Sequence, residues 1–321
     1  MRHIFRGAAA KPGAVLLHAA WWAFAAASAA LSVYIHAVGI DVYGTACSGD
    51  ECVSFFQMDG GQMERLGLIG LRPELYGGMT ALLLAIQNLS SWAVGLLLYR
   101  YGRRDPYCVA ASALLIVTGT IFSADETLFR SEFWLNLCTL LNLVGSTYVA
   151  FLFLLPSCKF VPAWTAIPAA VWVAEIAVGT IAPDLPLVNI VNWPLPAKLI
   201  YVLLMHGLAL VPQVSRYRRG TTEQRRQIRW LAVSIALYSL GGVLGAFPAF
   251  NTDGLLKLLM HLTLYTGLLF LPFAVGVIVL EHRSRRMSGA FNRAMLYAVL
   301  SGMGVLAYAL LVGALSLLLS D

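Results

Sequence analysis

An all-α, polytopic membrane bundle of about nine spanning helices is the fold class this sequence predicts, and three observations predict it. First, 59% of its 321 residues are hydrophobic, only 12% are charged, and the mean hydropathy is +0.76. Soluble domains carry about a quarter charged residues, so this chain has too little polar surface to cover a water-exposed globule. Second, its apolar runs are long and do not alternate. A bilayer cannot satisfy free backbone groups, so spans are helices or closed barrels, and the lack of period-two alternation excludes the barrel. Third, basic residues crowd into every second inter-span segment, as expected of loops on one side of a membrane.

Taken in order, the expected spans are about 14–38, 76–99, 107–124, 133–156, 161–182, 195–214, 230–250, 255–280 and 294–319, each near the ~20 residues a bilayer requires. They divide the chain into an amino-terminal tail with the first span (1–38), a loop region (39–75) and an eight-helix bundle (76–321). Arg2 and Arg6 before an apolar stretch, with small residues at Ala25–Ala30, resemble a signal peptide. However, the apolar run continues through Leu31, Val33, Tyr34 and Ile35, so a retained anchor is expected; cleavage would leave the remaining topology unchanged.

With the amino terminus in the cytoplasm, the inner segments hold Arg2, Arg6, Lys11, Arg100, Arg103, Arg104, Lys159, Arg216, Arg218, Arg219, Arg225, Arg226, Arg229, Arg283, Arg285, Arg286 and Arg293, which is 17 of 22 basic residues. The outer segments keep Arg65, Arg72, Arg130, Lys198 and Lys257. This bias places the amino terminus inside and, with nine spans, the carboxyl terminus outside. It also accounts for the net charge of +6 as a topology signal rather than a nucleic-acid surface.

The loop region holds Cys47 and Cys52 around Ser-Gly-Asp-Glu. On the outer side a disulfide can form and persist, and a Gly-containing spacer permits a tight ring if the Cα atoms approach closely enough. A metal site is the sharper alternative, weakened by the absence of a nearby His. Cys108, Cys138 and Cys158 read as small apolar core residues. Beyond the ring, Met63, Leu66 and Ile69 or Gly70 recur at helical spacing. They suggest a short amphipathic helix on the outer surface, either a lid packed on the spans or part of a ligand-receiving face.

Polar residues inside spans mark the candidate sites. Glu175 is the one carboxylate near the middle of a predicted span, where an ionisable group is costly unless paired or hydrated; His206 and His261 are candidate partners. The plain alternative is a protonated, hydrogen-bonded packing residue. His18 and His36, nearer span ends, read as interfacial anchors. Asn136, Thr139, Asn142, Ser146 and Tyr148 give the fourth span a polar side, and Asn88, Ser90 and Ser91 do so for the second. Such side chains commonly join helices; lining a ligand cavity is the alternative. Gly241, Gly242 and Gly245 permit close helix contact. The basic loop with Arg216, Arg218, Arg219, Arg225, Arg226 and Arg229 beside Trp230 suits anionic headgroups and the interface, or a signal-coupling contact. No metalloprotease, P-loop or nucleophile-elbow spacing occurs, and no cofactor is implied.

Four stretches carry a family resemblance. They are Cys47…Cys52 with Leu66-Gly-Leu and Tyr76; Val94-Gly-Leu-Leu-Leu-Tyr-Arg100 with Arg103-Arg104; Thr222-Glu-Gln-Arg-Arg-Gln-Ile-Arg-Trp230; and Leu271-Pro-Phe-Ala-Val-Gly-Val-Ile-Val-Leu280 with Arg293-Ala-Met-Leu-Tyr297. From about Cys47 to Tyr308 the chain resembles the membrane part of ComP-like sensor histidine kinases, the competence and quorum-sensing type. The resemblance implies a multi-pass sensor in a bacterial plasma membrane. Its implied partners are a small-molecule, lipid or peptide ligand, a second copy in a homodimer, a cytoplasmic kinase domain and a response regulator. Ser288-Gly-Ala-Phe-Asn-Arg293 departs from the family's usual Ile-Asp pair, and no phosphoacceptor His with an ATP-binding domain follows. A fragment ending one span short of the kinase is therefore expected. The rival expectation is a small-molecule transporter or membrane-embedded enzyme using Glu175 and the histidines.

Overall fold

Proline opens three of the helices of this protein. Pro12, Pro73 and Pro106 stand at the first positions of α1 (Pro12–Tyr43), α3 (Pro73–Gly102) and α4 (Pro106–Ile121), where the missing N–H removes no intrahelical bond. The computed structural model describes residues 12–47, 56–68, 70–124, 129, 131–155, 159–182, 185, 193–244 and 253–283. The other helices are α2 (Gly60–Leu68), α5 (Glu132–Gly145), α6 (Tyr148–Leu154), α7 (Ala166–Ile181), α8 (Leu195–Arg219), α9 (Thr222–Leu244) and α10 (Gly254–Arg283).

Seven helical segments are long and apolar enough to cross a membrane, with α5 and α6 forming one of them, Glu132–Leu154. The chain is thus an all-helical, multi-pass membrane protein. Eight of the nine expected spans have a helix at their position. The exception, 294–319, lies outside the described residues. The third expected span, α4, has 16 residues, about 24 Å of helix, which is short against a hydrocarbon core of about 30 Å. It is compensated by burial: ten of its residues are enclosed by neighbours. The fourth is broken at Ser146–Thr147 between α5 and α6.

Side-chain bonds fix how the helices run. His18 meets Tyr99, and Ser32 meets Asn88, so α1 and α3 are antiparallel. Trp21 Nε1 donates to Ser112 Oγ, which donates on to the Gly95 carbonyl, joining α1, α4 and α3 at 2.9 and 2.6 Å. Gln213 of α8 donates to the Leu152 and Leu155 carbonyls at the end of α6. Between α9 and α10 the backbones approach so closely that a Cβ on Gly241 would stand 2.5 Å from Leu264 Cβ, and one on Gly267 would stand 2.4 Å from the Tyr238 nitrogen. The expected close contact at Gly241 is therefore made with α10; Gly245 lies outside the described residues, and Gly242 meets open space.

Helix α10 is the central element. In its most apolar window 72% of residues are buried, against 28% for α1. Phe270, Leu271, Ala274, Val275 and Ile278 join the largest core cluster, shared with α3, α4, α6, α7, α8 and α9. At one end of the bundle lie α2 and the first residues of α3, α8 and α10. The opposite end carries Arg100, Arg103, Arg104, Lys159, Arg216, Arg218, Arg219, Arg225, Arg226, Arg229 and Arg283. Among described residues the α2 end holds Arg65, Arg72, Lys198 and Lys257, so the charge bias of the sequence is a physical difference between the two ends.

Candidate functional site

Two arrangements of polar and aromatic side chains stand out, one at the α2 end and one inside the bundle. The first is a cap. Asp59 and Gln62 begin α2 with a reciprocal capping box: the Gln62 N–H donates to Asp59 Oδ1 at 2.8 Å, and the Asp59 N–H donates to Gln62 Oε1 at 3.0 Å. A Schellman turn ends it, with the Leu71 N–H on the Leu66 carbonyl and the Gly70 N–H on the Gly67 carbonyl, both 3.0 Å. Gly70 has φ 79°, the left-handed conformation that glycine adopts without a Cβ clash. The expected amphipathic helix is therefore present: Met63 and Leu66 point inward onto Met58 and Tyr76. Ile69 lies outside the described residues, and Gly70 is the stop rather than a packing position.

Several bonds seat the cap on the bundle. Tyr76 Oη donates to the Phe56 carbonyl at 2.6 Å, and the Cys47 N–H donates to the Met58 carbonyl at 3.0 Å. Cys52, the expected partner of Cys47, lies outside the described residues. The other contacts are to α10. Lys257 Nζ donates to the Gln57 carbonyl, and Lys257 is itself buried. Arg65 Nη1 donates to Asp253 Oδ2 at 2.9 Å. Asp253 also caps α10, with Oδ1 accepting from the Leu255 and Leu256 N–H groups at 3.0 and 3.1 Å. The Leu256 N–H foremost, and the Arg65 guanidinium with it, hold the Asp253 carboxyl below its ordinary range. Beneath the cap the Phe56 ring packs against His261 and Tyr265 of α10, with centroids 5.2 and 5.4 Å apart.

The second arrangement joins α6, α7, α8 and α9. His206 is buried, and its Nδ1 lies 2.8 Å from the Val202 carbonyl. A carbonyl can only accept, so Nδ1 carries the proton and Nε2 is free to accept from the Tyr148 hydroxyl. The Tyr238 ring stands beside this pair, its centroid 5.3 Å from that of His206. Trp172 Nε1 donates to the Ser146 carbonyl at 2.7 Å, at the α5–α6 break. Its ring stacks on Tyr201, centroids 5.7 Å apart, and Trp193 meets Tyr201 edge-on at 5.3 Å. Glu175, one turn along α7 from Trp172, is half-buried and within electrostatic reach of Tyr201. The Tyr148–His206 and Trp172–Ser146 bonds thus tie α6, α7 and α8 together inside the bundle.

These positions revise several expectations. His206 shares the cluster with Glu175, with Trp172 and Tyr201 between them. His261 belongs to the other arrangement, beneath the cap. Asn136 and Asn142 are exposed on the outward face of α5, and Asn142 Oδ1 accepts from Ser146 Oγ at 2.9 Å. Among the described residues neither bonds to another helix, because the rotation of α5 turns its apolar side to the core. Asn88 does join helices, donating to Ser32 Oγ at 2.8 Å with His36 Nε2 at 3.3 Å. His36 is thus a helix–helix partner rather than an anchor, because α1 runs on to Tyr43. Ser90 and Ser91 bond the Gln87 carbonyl of their own helix.

The basic loop is a tight turn between α8 and α9. Thr221 and Gln224 form a second capping box, and Arg225 folds back to donate to the Tyr217 carbonyl at 3.1 Å. Arg216 donates to the Lys159 carbonyl, while Arg218, Arg219, Arg225, Arg226 and Arg229 are exposed. Cys108 is buried and Cys138 half-buried; Cys158 lies outside the described residues. Tyr148 belongs to the polar side expected of the fourth span, whereas hydropathy alone gives no sign of the partnerships of Tyr238, Trp172, Tyr201, Arg65, Asp253 and Lys257. Only the capping boxes, Asp59-x-x-Gln62 and Thr221-x-x-Gln224, leave a readable local signature. Comparison with protein-family models, curated proteins and solved structures found no match to this chain.

Proposed function

We propose that this chain is the membrane input module of a two-component sensor kinase, receiving an extracellular or membrane-borne ligand and passing a conformational change to a cytoplasmic kinase domain. The observation that carries the reading is the seating of the cap on α10 through Arg65–Asp253 and Lys257–Gln57. A ligand that binds better when the cap is displaced biases the packing of α10, and only such a difference in affinity can shift an equilibrium. Helix α10 is the most buried span, and its far end is among the arginines. A disturbance at the cap therefore reaches the opposite end through one packed element.

In this reading the molecule lies in a bacterial plasma membrane with the arginine-rich end inside and the cap outside. It acts as a homodimer, and its kinase serves a response regulator. Cysteine labelling in sealed cells tests the orientation: sites engineered at Asp125, Asp184 and Asp253 react from outside, and sites at Arg103 and Arg218 do not. Labelling of the Arg218 site overturns it. The function is tested in the native gene and its full-length product. The proposal expects a kinase encoded in the same frame and expects Lys257→Gln to shift its basal autophosphorylation several-fold. A frame without a kinase, or proton-coupled solute flux by the purified chain, overturns the reading in favour of the transporter or membrane enzyme.

A further inference from the structure

A groove on the side of the bundle runs between α1 and the α5–α6 span, with α4 as its floor. Its cavity is about 400 Å³ and is lined by Leu17, Phe24, Ala113, Val144, Thr147 and Phe151 among others. That volume lies within the roughly 300–1,000 Å³ of small-molecule sites. The floor is low because α4 presents Ala110 and Ala113 there, and the wall is fixed because Trp21, which also lines it, is bonded to Ser112. From Leu17 to Phe24 the groove follows about two turns of α1, roughly 10 Å. A single leaflet of the hydrocarbon core is about 15 Å deep. The groove is thus short enough to fit within one leaflet, and it runs along the helices as an acyl chain does.

The charge at its mouth selects the kind of lipid. Leu17, Ala110 and Leu154 mark the end of the groove nearest the arginine-rich end of the bundle. The turn leading into α4 there carries Arg103 and Arg104, both exposed and neither in an ion pair among the described residues. The one acid in that turn, Asp105, is committed to the helix: its Oδ1 accepts from the Tyr107 N–H at 3.0 Å. Tyr107, in the first turn of α4, stacks on the lining residue Phe151, centroids 5.3 Å apart.

We propose that this groove is a binding site for one anionic phospholipid, its acyl chain along α4 between α1 and α6 and its phosphate on Arg103 and Arg104. The occupant follows from the juxtaposition of an apolar channel that fits within a leaflet with two guanidinium groups near one end that are in no ion pair among the described residues. Basic residues at a membrane surface attract anionic lipid by about 1 kcal/mol each, so two distinguish it from a zwitterionic lipid of the same chains by about tenfold or more.

The test is native mass spectrometry of the full chain in detergent, titrated with dioleoyl phosphatidylglycerol or dioleoyl phosphatidylcholine. The parent retains a single phosphatidylglycerol about tenfold more tightly than phosphatidylcholine. Arg103→Gln with Arg104→Gln abolishes the preference. Ala113→Phe fills the groove and weakens both lipids, and Ala150→Met does the same more mildly should Ala113→Phe fail to fold; thermal unfolding reports which variants are intact. Equal affinity of the parent for the two lipids overturns the proposal. So does a preference that survives loss of both arginines, or retention unchanged in a folded groove-filling variant.

Discussion

Arg65 of α2 and Asp253 at the head of α10 are joined by a 2.9 Å hydrogen-bonded ion pair across the α2 end of the bundle. Asp253 has two duties, as partner of Arg65 and as cap of α10, and substitutions separate them. Both partners are partly exposed, so the pair itself stabilises by only about 0.5 kcal/mol, whereas loss of an N-cap costs about 1 kcal/mol or more. Arg65→Gln and Asp253→Asn, which keep the cap, are expected to change thermal stability in detergent slightly. Asp253→Ala loses both and costs about 1–2 kcal/mol. The Asp253 carboxyl is held below its ordinary range, so its contribution is fully present above the unfolded-state value near 3.9 and is lost as pH falls through its lowered native value. Hydrogen exchange of α2 between pH 7 and pH 3 should show the cap loosening only at the acidic end, and uniform protection would contradict this.

Cys47 is held close to the bundle by its N–H bond to the Met58 carbonyl, while its sequence partner Cys52 is only five positions on. A bridge between them closes a small ring that pre-orders the approach to the cap. The non-reduced peptide containing both is expected to be about two hydrogens lighter than the dithiol. Two freely alkylated thiols would rule the bridge out.

The Tyr148–His206 pair gives a third measurement. Tyr148→Phe leaves His206 Nε2 a buried acceptor without its donor, at a cost of about 1–3 kcal/mol. His206→Leu removes the acceptor as well, so the double substitution should cost less than the sum of the two. Strict additivity in thermal unfolding would show that the bond contributes nothing to holding α6 against α8.

Hydropathy places helices along the chain but carries weaker information about their rotation, and the two kinds of expectation fared accordingly. Among the described residues, helices stand at eight of the nine expected spans because length and apolarity are local properties. Helix α1 extends to Tyr43 and α3 begins at Pro73, since a helix continues past the hydrocarbon wherever its backbone is satisfied. The α2 helix was readable from Met63 and Leu66, and its boundaries could have been read from Asp59-x-x-Gln62 and Gly70. Asn136 and Asn142 illustrate the limit. Their spacing shows a polar face on α5, but only the packing of α4 and α7 decides that this face points out. Arg65 and Asp253 stand 188 positions apart, and no local pattern announces such a pair.

Glu175 separates the sensor from the transporter. It sits one turn from Trp172 on α7, half-buried and close to Tyr201. In a proton- or ion-coupled transporter, a carboxylate at that depth is the natural coupling group, because it can change charge with access to either side. Glu175→Gln would then abolish flux while leaving the fold intact, since Gln keeps the shape and a hydrogen-bonding head. In a sensor the same side chain serves packing as a neutral hydrogen-bonded group. Glu175→Gln is then nearly silent, and Glu175→Leu destabilises by about 1–3 kcal/mol because its neighbours lose a partner. The sensor outcome is the one expected here. Thermal unfolding of both variants in detergent, run beside a vesicle flux assay and an assay of the autophosphorylation that the proposed sensor predicts, makes the comparison. A stable Glu175→Gln protein that has lost a proton-coupled flux shown by the parent would establish the transporter instead.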